Sequence, residues 1–303
     1  MEPISIYILT FGRLDMKRWF LATRPWSFIM TIISTSLGAS LTFEFNPSLF
    51  ILTLSGLILA HAATNLLNDY FDVRAGVDKT DSPTSRYRPH PYLMGQISTK
   101  SLLIVTLLLY LSVIFIAFYI YLIRGSLIIF LLLLGLFMSV FYTFKFFPLK
   151  YKALGEPMVF IVWGPIMVFG SYYVLSGDTN AKAILVSLPI GILVSLVLMA
   201  NNIRDIDYDS SSGIKTIPII LGKDKSLKLF EFLLSLSYFI VVIIALTISL
   251  FSLLAFITLP QAFKIVRIFR EKLPDTADPM VAQLTLSFGL LLIFGIILGK
   301  LIA

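Results

Sequence analysis

The chain contains no cysteine and only two histidines, His61 and His90. A disulfide framework and a thiolate metal site are therefore excluded, and a histidine-rich zinc site has too few ligands. Any metal must be held by oxygen. Charge is also scarce, at 14% of the 303 residues, against roughly 25% in a soluble domain. Hydrophobic residues make up 58% and the mean hydropathy is +0.92. This is the composition of a polytopic membrane protein. The first apolar run has an acidic start and no small-residue cleavage site after it, so no cleaved signal is expected. Residues 1–23 read as an interfacial arm.

A membrane span takes about 20 apolar residues. Nine stretches qualify: 25–43, 48–68, 101–122, 126–144, 156–175, 182–203, 228–247, 248–264 and 281–302. The seventh and eighth run together and should form a tight hairpin near Ser249. With the N-terminus in the cytoplasm, every lysine and arginine except Arg124, Lys182 and Lys300 falls on the cytoplasmic side. Positive charge marks that side, so a plasma-membrane protein is expected with its C-terminus outside and its polar mouth facing the cytoplasm.

A short repeat lies within the spans. "NLLNDYFDVRAG" (Asn65 to Gly76) falls on "NIRDIDYDSSSG" (Asn202 to Gly213), so that Asn65, Asn68, Asp72 and Gly76 match Asn202, Asp205, Asp209 and Gly213. Each block closes an even-numbered span. The expected architecture is an all-α single membrane domain, 1–303, made of two four-helix units, 24–147 and 154–272, plus a final helix, 281–302. At about 100° per residue, Asn65, Asn68 and Asp72 lie within about 60° of one another on a helix, and so do Asn202, Asp205 and Asp209. Two such ladders facing each other would be costly without a counter-charge. Mg²⁺ suits them, because it takes oxygen ligands and bridges carboxylates to phosphates. The basic residues nearby, Arg74, Lys79, Arg86, Arg88, Lys145, Lys152 and Lys215, suit a phosphate ligand. Asp178, Asp207 and Asp224 read as solvated acids, and His61 as a packed histidine.

At these residues the sequence resembles the UbiA superfamily of intramembrane prenyltransferases. The resemblance runs through "RPWSF" (Arg24 to Phe28), "NDYFD" (Asn68 to Asp72), "YTFKFFPLKYKALGE" (Tyr142 to Glu156), "NNIRDIDYD" (Asn201 to Asp209) and "GIKTIPIILG". It implies nine helices around a central cavity, Mg²⁺ expected as two ions, and transfer of a prenyl chain from its diphosphate to a lipophilic acceptor. Asn68 and Asp72 match the first motif, with Asp69 between them, and Asp205 and Asp209 match the second. Many members carry a third acid where this chain has Gly76, and Asp78 stands nearby as its substitute. Arg24, Tyr142, Lys145 and Lys152 lie where the family places diphosphate contacts.

The implied mechanism is ionisation of the donor beside preorganised charge, with aromatic faces shielding the allylic cation. No covalent nucleophile is needed. The motif wording is most similar to the menaquinone branch, whose acceptor is 1,4-dihydroxy-2-naphthoate. Arg86, Arg88 and His90 could serve either this acceptor or a phosphate-bearing one, and Glu156 could orient a phenolic hydroxyl. The rival is the archaeal branch that prenylates geranylgeranylglyceryl phosphate. An ion-coupled transporter is the alternative of another class, although both ladders sit at one face instead of the midplane. No nucleic-acid partner is expected.

Overall fold

The computed structural model describes residues 14–80, 89–211 and 213–302, with the side chains of residues 14 and 15 left aside. Of the expected sites, Arg86 and Arg88 lie outside the described residues, as does most of the arm before α1. The helices in chain order are α1 (Leu14–Ala22), α2 (Phe28–Ser40), α3 (Pro47–Arg74), α4 (Thr99–Arg124), α5 (Leu127–Thr143), α6 (Gly155–Ile161) and α7 (Met167–Ser176). They continue with α8 (Ala181–Arg204), α9 (Ile206–Ser211), α10 (Ile217–Leu221), α11 (Lys223–Thr247), α12 (Leu259–Glu271) and α13 (Ala277–Ile302). Among the described residues there is no strand, only an isolated bridge between Lys152 and Lys215.

Seven helical stretches are long and apolar enough to cross a membrane. All nine expected stretches are helical, but α2 has 13 residues and α5 has 17, short of the length a span takes. The fifth stretch joins α6 to α7 through a π-turn, Val162–Ile166, with Pro165 inside it and Gly164 at ψ −105°. Proline removes a backbone donor and bends the helix there. The chain reverses between α11 and the 3₁₀ segment Leu250–Thr258, where Ser249 is extended at φ −155°.

The core is lopsided. One continuous hydrophobic cluster joins α2, α6, α8, α11, α12 and α13, through residues such as Ile33, Leu193, Phe230 and Phe288. Helix α8 is the most enclosed span, 72% buried, and α4 the least, at 17%. Helices α3, α4 and α5 make only small separate clusters with their neighbours. They stand away from the main core, and a cavity of about 780 Å³ fills the space between.

Close helix contacts rest on glycine. A Cβ on Gly38 would lie 2.3 Å from the Val168 carbonyl oxygen, whereas one on Gly135 would meet nothing within 4 Å. Gly38→Ala must push α2 off α7, at a cost of about 1–3 kcal/mol. The expected outcome is a lower unfolding temperature for Gly38→Ala in detergent and none for Gly135→Ala, checked by thermal melts of the two purified variants.

Candidate active site

The first motif lies at the end of α3. Asp72 is 1% exposed and takes three donors. Asn68 Nδ2 donates to its Oδ2 at 2.8 Å, the Lys150 ammonium donates to the same oxygen at 2.8 Å, and the Tyr151 hydroxyl donates to Oδ1. Lys150 also reaches Asn68 Oδ1 at 3.4 Å. Asp69, buried on the next position, is paired by Arg24. Past the helix, Gly76 adopts φ +72°, which a residue with a Cβ resists. The turn there returns the Val77 and Asp78 amides onto the Asp72 carbonyl, at 3.0 and 3.2 Å. Asp78 is thereby carried back beside Asp69, although the helix position of a third acid is glycine.

His90 completes this corner. Its Nδ1 accepts the Leu93 amide at 3.2 Å, so Nε2 carries the proton that meets Asp78 Oδ2 at 3.1 Å. Asp69, Asp78 and His90 offer ligand atoms within 4.8 Å of one another. Burial alone would raise the Asp78 carboxyl, but the His90 hydrogen bond and the charges of Lys150 and Arg24 hold it well below the usual range. Burial opposes the Lys150 charge too, and Asp72 outweighs it, keeping the lysine above its ordinary value.

The second motif does not form one continuous ladder as expected. Helix α8 ends at Arg204, Asp205 is the turn at φ −93° and ψ 10°, and α9 starts afresh at Ile206. The cause is Arg204, which holds Asp205 by both oxygens, Nε to Oδ1 and Nη2 to Oδ2, each at 2.7 Å. The same guanidinium binds Asp278 at 2.5 Å and the Asp275 carbonyl at 2.9 Å, tying α13 to the motif. Tyr208 donates to the Val77 carbonyl at 3.2 Å, which brings α9 onto the loop after the first motif. Among the described residues the Asp209 carboxylate accepts no side-chain hydrogen bond. Burial, followed by the neighbouring charge of Asp205, pushes it up to about 7.

The structure separates the remaining expected residues into two groups. Arg24, Asn68, Tyr142 and Asn65 line the cavity. Asn202 instead faces α6, donating to Glu156 Oε1 at 2.9 Å. Glu156, expected to orient an acceptor, is buried behind the cavity wall with Oε2 unpartnered. Lys145, Lys152, Lys215 and Arg74 are exposed. Lys152 lies 3.4 Å from the Phe147 ring centroid, and Arg74 donates to the Tyr70 hydroxyl at 2.8 Å. Lys215 contributes its backbone, its amide donating to the Tyr151 carbonyl at 3.2 Å. The lysine at the acids is Lys150, which sequence reasoning passed over together with Tyr151 and Arg204. Pro148 starts the short 3₁₀ turn Leu149–Tyr151. That proline was the one local signal favouring Lys150 and Tyr151 over Lys145.

A divalent cation fits this donor set. Oxygen ligands from Asn68, Asp69, Asp72, Asp78, Asp205 and Asp209 dominate, as Mg²⁺ prefers, and Asp209 carries the uncompensated charge such an ion would neutralise. Metal binds the ionised carboxylate, and a group near pH 7 is about half protonated there. Mg²⁺ affinity should therefore rise between pH 6 and pH 8 with release of a proton. Titration calorimetry of the protein in buffers of different ionisation enthalpy checks this, and Asp209→Asn should abolish the release.

Residues 27–298 match the model of the UbiA prenyltransferase family. A "UbiA prenyltransferase domain-containing protein 1" from Danio rerio is 31% identical over 292 residues, covering 93% of this chain and 84% of the relative. Among solved structures, a UbiA homolog from Aeropyrum pernix K1 has a TM-score of 0.70 at 17% identity, over 88% of this chain and 97% of that one. A digeranylgeranylglyceryl phosphate synthase has 0.65 at 17% identity, over 95% and 99%. A UbiA homolog from Archaeoglobus fulgidus bound to DMAPP and Mg²⁺ has 0.62 at 15% identity, over 91% and 99%. The chain belongs to the UbiA prenyltransferase family.

Proposed function

We propose that this protein transfers an isoprenyl chain from a prenyl diphosphate to a lipophilic aromatic acceptor, 1,4-dihydroxy-2-naphthoate, at the cytoplasmic face of the plasma membrane. The observation that carries this reading is a buried mouth of acids and cations set directly on an apolar cavity of about 780 Å³. A diphosphate head and a hydrocarbon tail need those two environments side by side. The Mg²⁺ and DMAPP held by the Archaeoglobus fulgidus homolog support the same donor chemistry.

Lys150 and Arg24 face the departing diphosphate, while Asp69, Asp72, Asp78, Asp205, Asp209 and Asn68 would hold Mg²⁺. Bound Mg²⁺ supplies neutralisation of the leaving group's charge. The bond from C1 to oxygen breaks with both electrons going to diphosphate, and Tyr142 and Trp163 offer ring faces to the allylic cation. The apolar walls, such as Ile116, Leu131 and Val162, exclude water that would otherwise quench it. A ring carbon of the acceptor then bonds to C1, and the displaced proton leaves to solvent.

The wording of "NDYFDVRAGVDKTDS" and "NNIRDIDYD", most similar to the menaquinone branch, supports an aromatic acceptor over a phosphate-bearing one. The duplicated four-helix architecture and nine spans, with α2 and α5 crossing as short helices, belong to the same proposal.

Asp72→Ala and Asp209→Ala should lower turnover by at least about a hundredfold, which is about 2.7 kcal/mol, while still inserting in the membrane. Lys150→Ala should do likewise, whereas Lys145→Ala and Lys152→Ala should stay within about threefold. Diphosphate release from geranylgeranyl diphosphate with Mg²⁺ reads all five variants. Product masses with the naphthoate and with geranylgeranylglyceryl phosphate in separate reactions decide the acceptor. Glycerol lipid product alone would overturn the naphthoate, and no release with either would revive the transporter. A reporter fused after Ala303 should read as exterior, and one fused after Thr80 as cytoplasmic.

A further inference from the structure

His61 is buried in α3, one turn before Asn65, on the cavity wall. The rings of Phe28 and Trp163 meet it edge-on at 5.3 and 5.0 Å. Both of its nitrogens are engaged, Nδ1 with Thr31 Oγ1 at 2.9 Å and Nε2 with Ser27 Oγ at 3.1 Å. A serine hydroxyl has one proton, and Ser27 donates it to the Arg24 carbonyl at 2.7 Å. Ser27 Oγ can then only accept from His61, so Nε2 carries the imidazole proton. In the neutral imidazole Nδ1 then accepts from Thr31, whose oxygen in turn accepts the Trp163 indole N–H at 3.3 Å. Asn65 Nδ2 gives Ser27 Oγ a second donor at 3.3 Å. The result is one directed chain of hydrogen bonds from Trp163 through Thr31, His61 and Ser27 to the backbone of Arg24.

That chain ends where the backbone is least comfortable. Arg24 has φ 56° and ψ 58°, a left-handed conformation that a residue with a Cβ keeps only when its surroundings impose it. The Arg24 carbonyl receives both the Ser27 hydroxyl and the Ser27 amide, the latter at 2.9 Å. From this bend the Arg24 side chain reaches Asp69 in the mouth.

We propose that His61 is a positioning residue for the prenyl donor: through Ser27 it fixes the left-handed bend that aims the Arg24 guanidinium at the diphosphate site. The proposal rests on the reading of Arg24 as a diphosphate contact. It also accounts for histidine at this place, since a neutral imidazole presents a donor at the ε position and an acceptor at the δ position at once.

The test measures binding of geranylgeranyl thiodiphosphate with Mg²⁺ to the purified full-length protein by titration calorimetry, alongside the acceptor KM and kcat. His61→Leu and Ser27→Ala should each weaken donor binding about tenfold, and the double variant no further. His61→Gln, whose amide nitrogen reaches the ε position, should stay within about threefold of the unaltered protein, while His61→Asn should match His61→Leu. The acceptor KM at saturating donor should change less than about threefold in all of them. Additive losses, equal losses in the Gln and Leu variants, or a loss confined to the acceptor KM would each overturn the proposal. If His61→Leu does not fold, the Gln and Asn pair measured with and without Ser27→Ala gives the same comparison. Arg24→Ala separates the two layers: no loss of donor affinity there removes the diphosphate role of Arg24 and the relay with it. Loss there without loss in the His61 variants overturns the relay alone.

Discussion

Asp72 ends an apolar helix and is 1% exposed, a place where a lone carboxylate would be strongly disfavoured. Its tolerance there comes from Lys150 and Tyr151, two consecutive residues of one short turn that both reach it. The rest of the mouth follows the same constraint. Asp69 is matched by Arg24, Asp205 by Arg204 and Asp78 by His90. Asp209 alone among these acids lacks a described side-chain partner, and burial, followed by the charge of Asp205, raises its protonation point. The prepaired cations also hold the acids in place before any donor arrives, which reduces the reorganisation required at reaction.

The two motifs share a further device that their matching letters do not announce. Asn65 of the first block donates to the Thr23 carbonyl at 2.8 Å, in the turn that leads into α2. Asn202 of the second donates to Glu156, at the start of α6. Arg24 and Ala153, at φ 56° and 57°, are the non-glycine residues of positive φ among those described, and each stands at such an entrance. Gly76 and Gly213 share φ +72° just after each motif. A left-handed residue thus precedes α2 and another precedes α6, and an asparagine from α3 or α8 is hydrogen-bonded beside each. Asn65 and Asn202 serve architecture, and the acids that follow them face the mouth.

Packing is uneven across the molecule. A continuous core surrounds α8, while α3, α4 and α5 stand as a thin wall. A substrate with a long apolar tail needs a space that the protein's own side chains do not fill. The wall provides it, and the bend at Gly164 and Pro165 occurs where Trp163 joins the cavity lining. Polar groups on the lining such as Thr64, Tyr110, Ser139 and the His61 chain are hydrogen-bonded to one another, so they do not oppose an apolar ligand with stranded donors.

Hydropathy, the lysine and arginine distribution and the paired "NDYFD" and "NIRDIDYD" blocks were enough to determine a helical membrane protein with an acidic mouth, because burial in lipid and helix periodicity are local properties of the chain. The positions of α3 to α8 were legible for the same reason. The choice among Lys145, Lys150 and Lys152 was not, since it depends on the direction of one 3₁₀ turn relative to a helix far away in sequence. The break of the second ladder at Asp205 was hidden likewise: its cause, Arg204, is held by Asp278 from the last helix. Gly76 read as a missing acid, yet its left-handed turn is what returns Asp78 to the site. Periodicity told which residues share a face, and only the tertiary structure decided which charges meet across helices, because a buried ion pair is set by the approach of elements and not by spacing along either one.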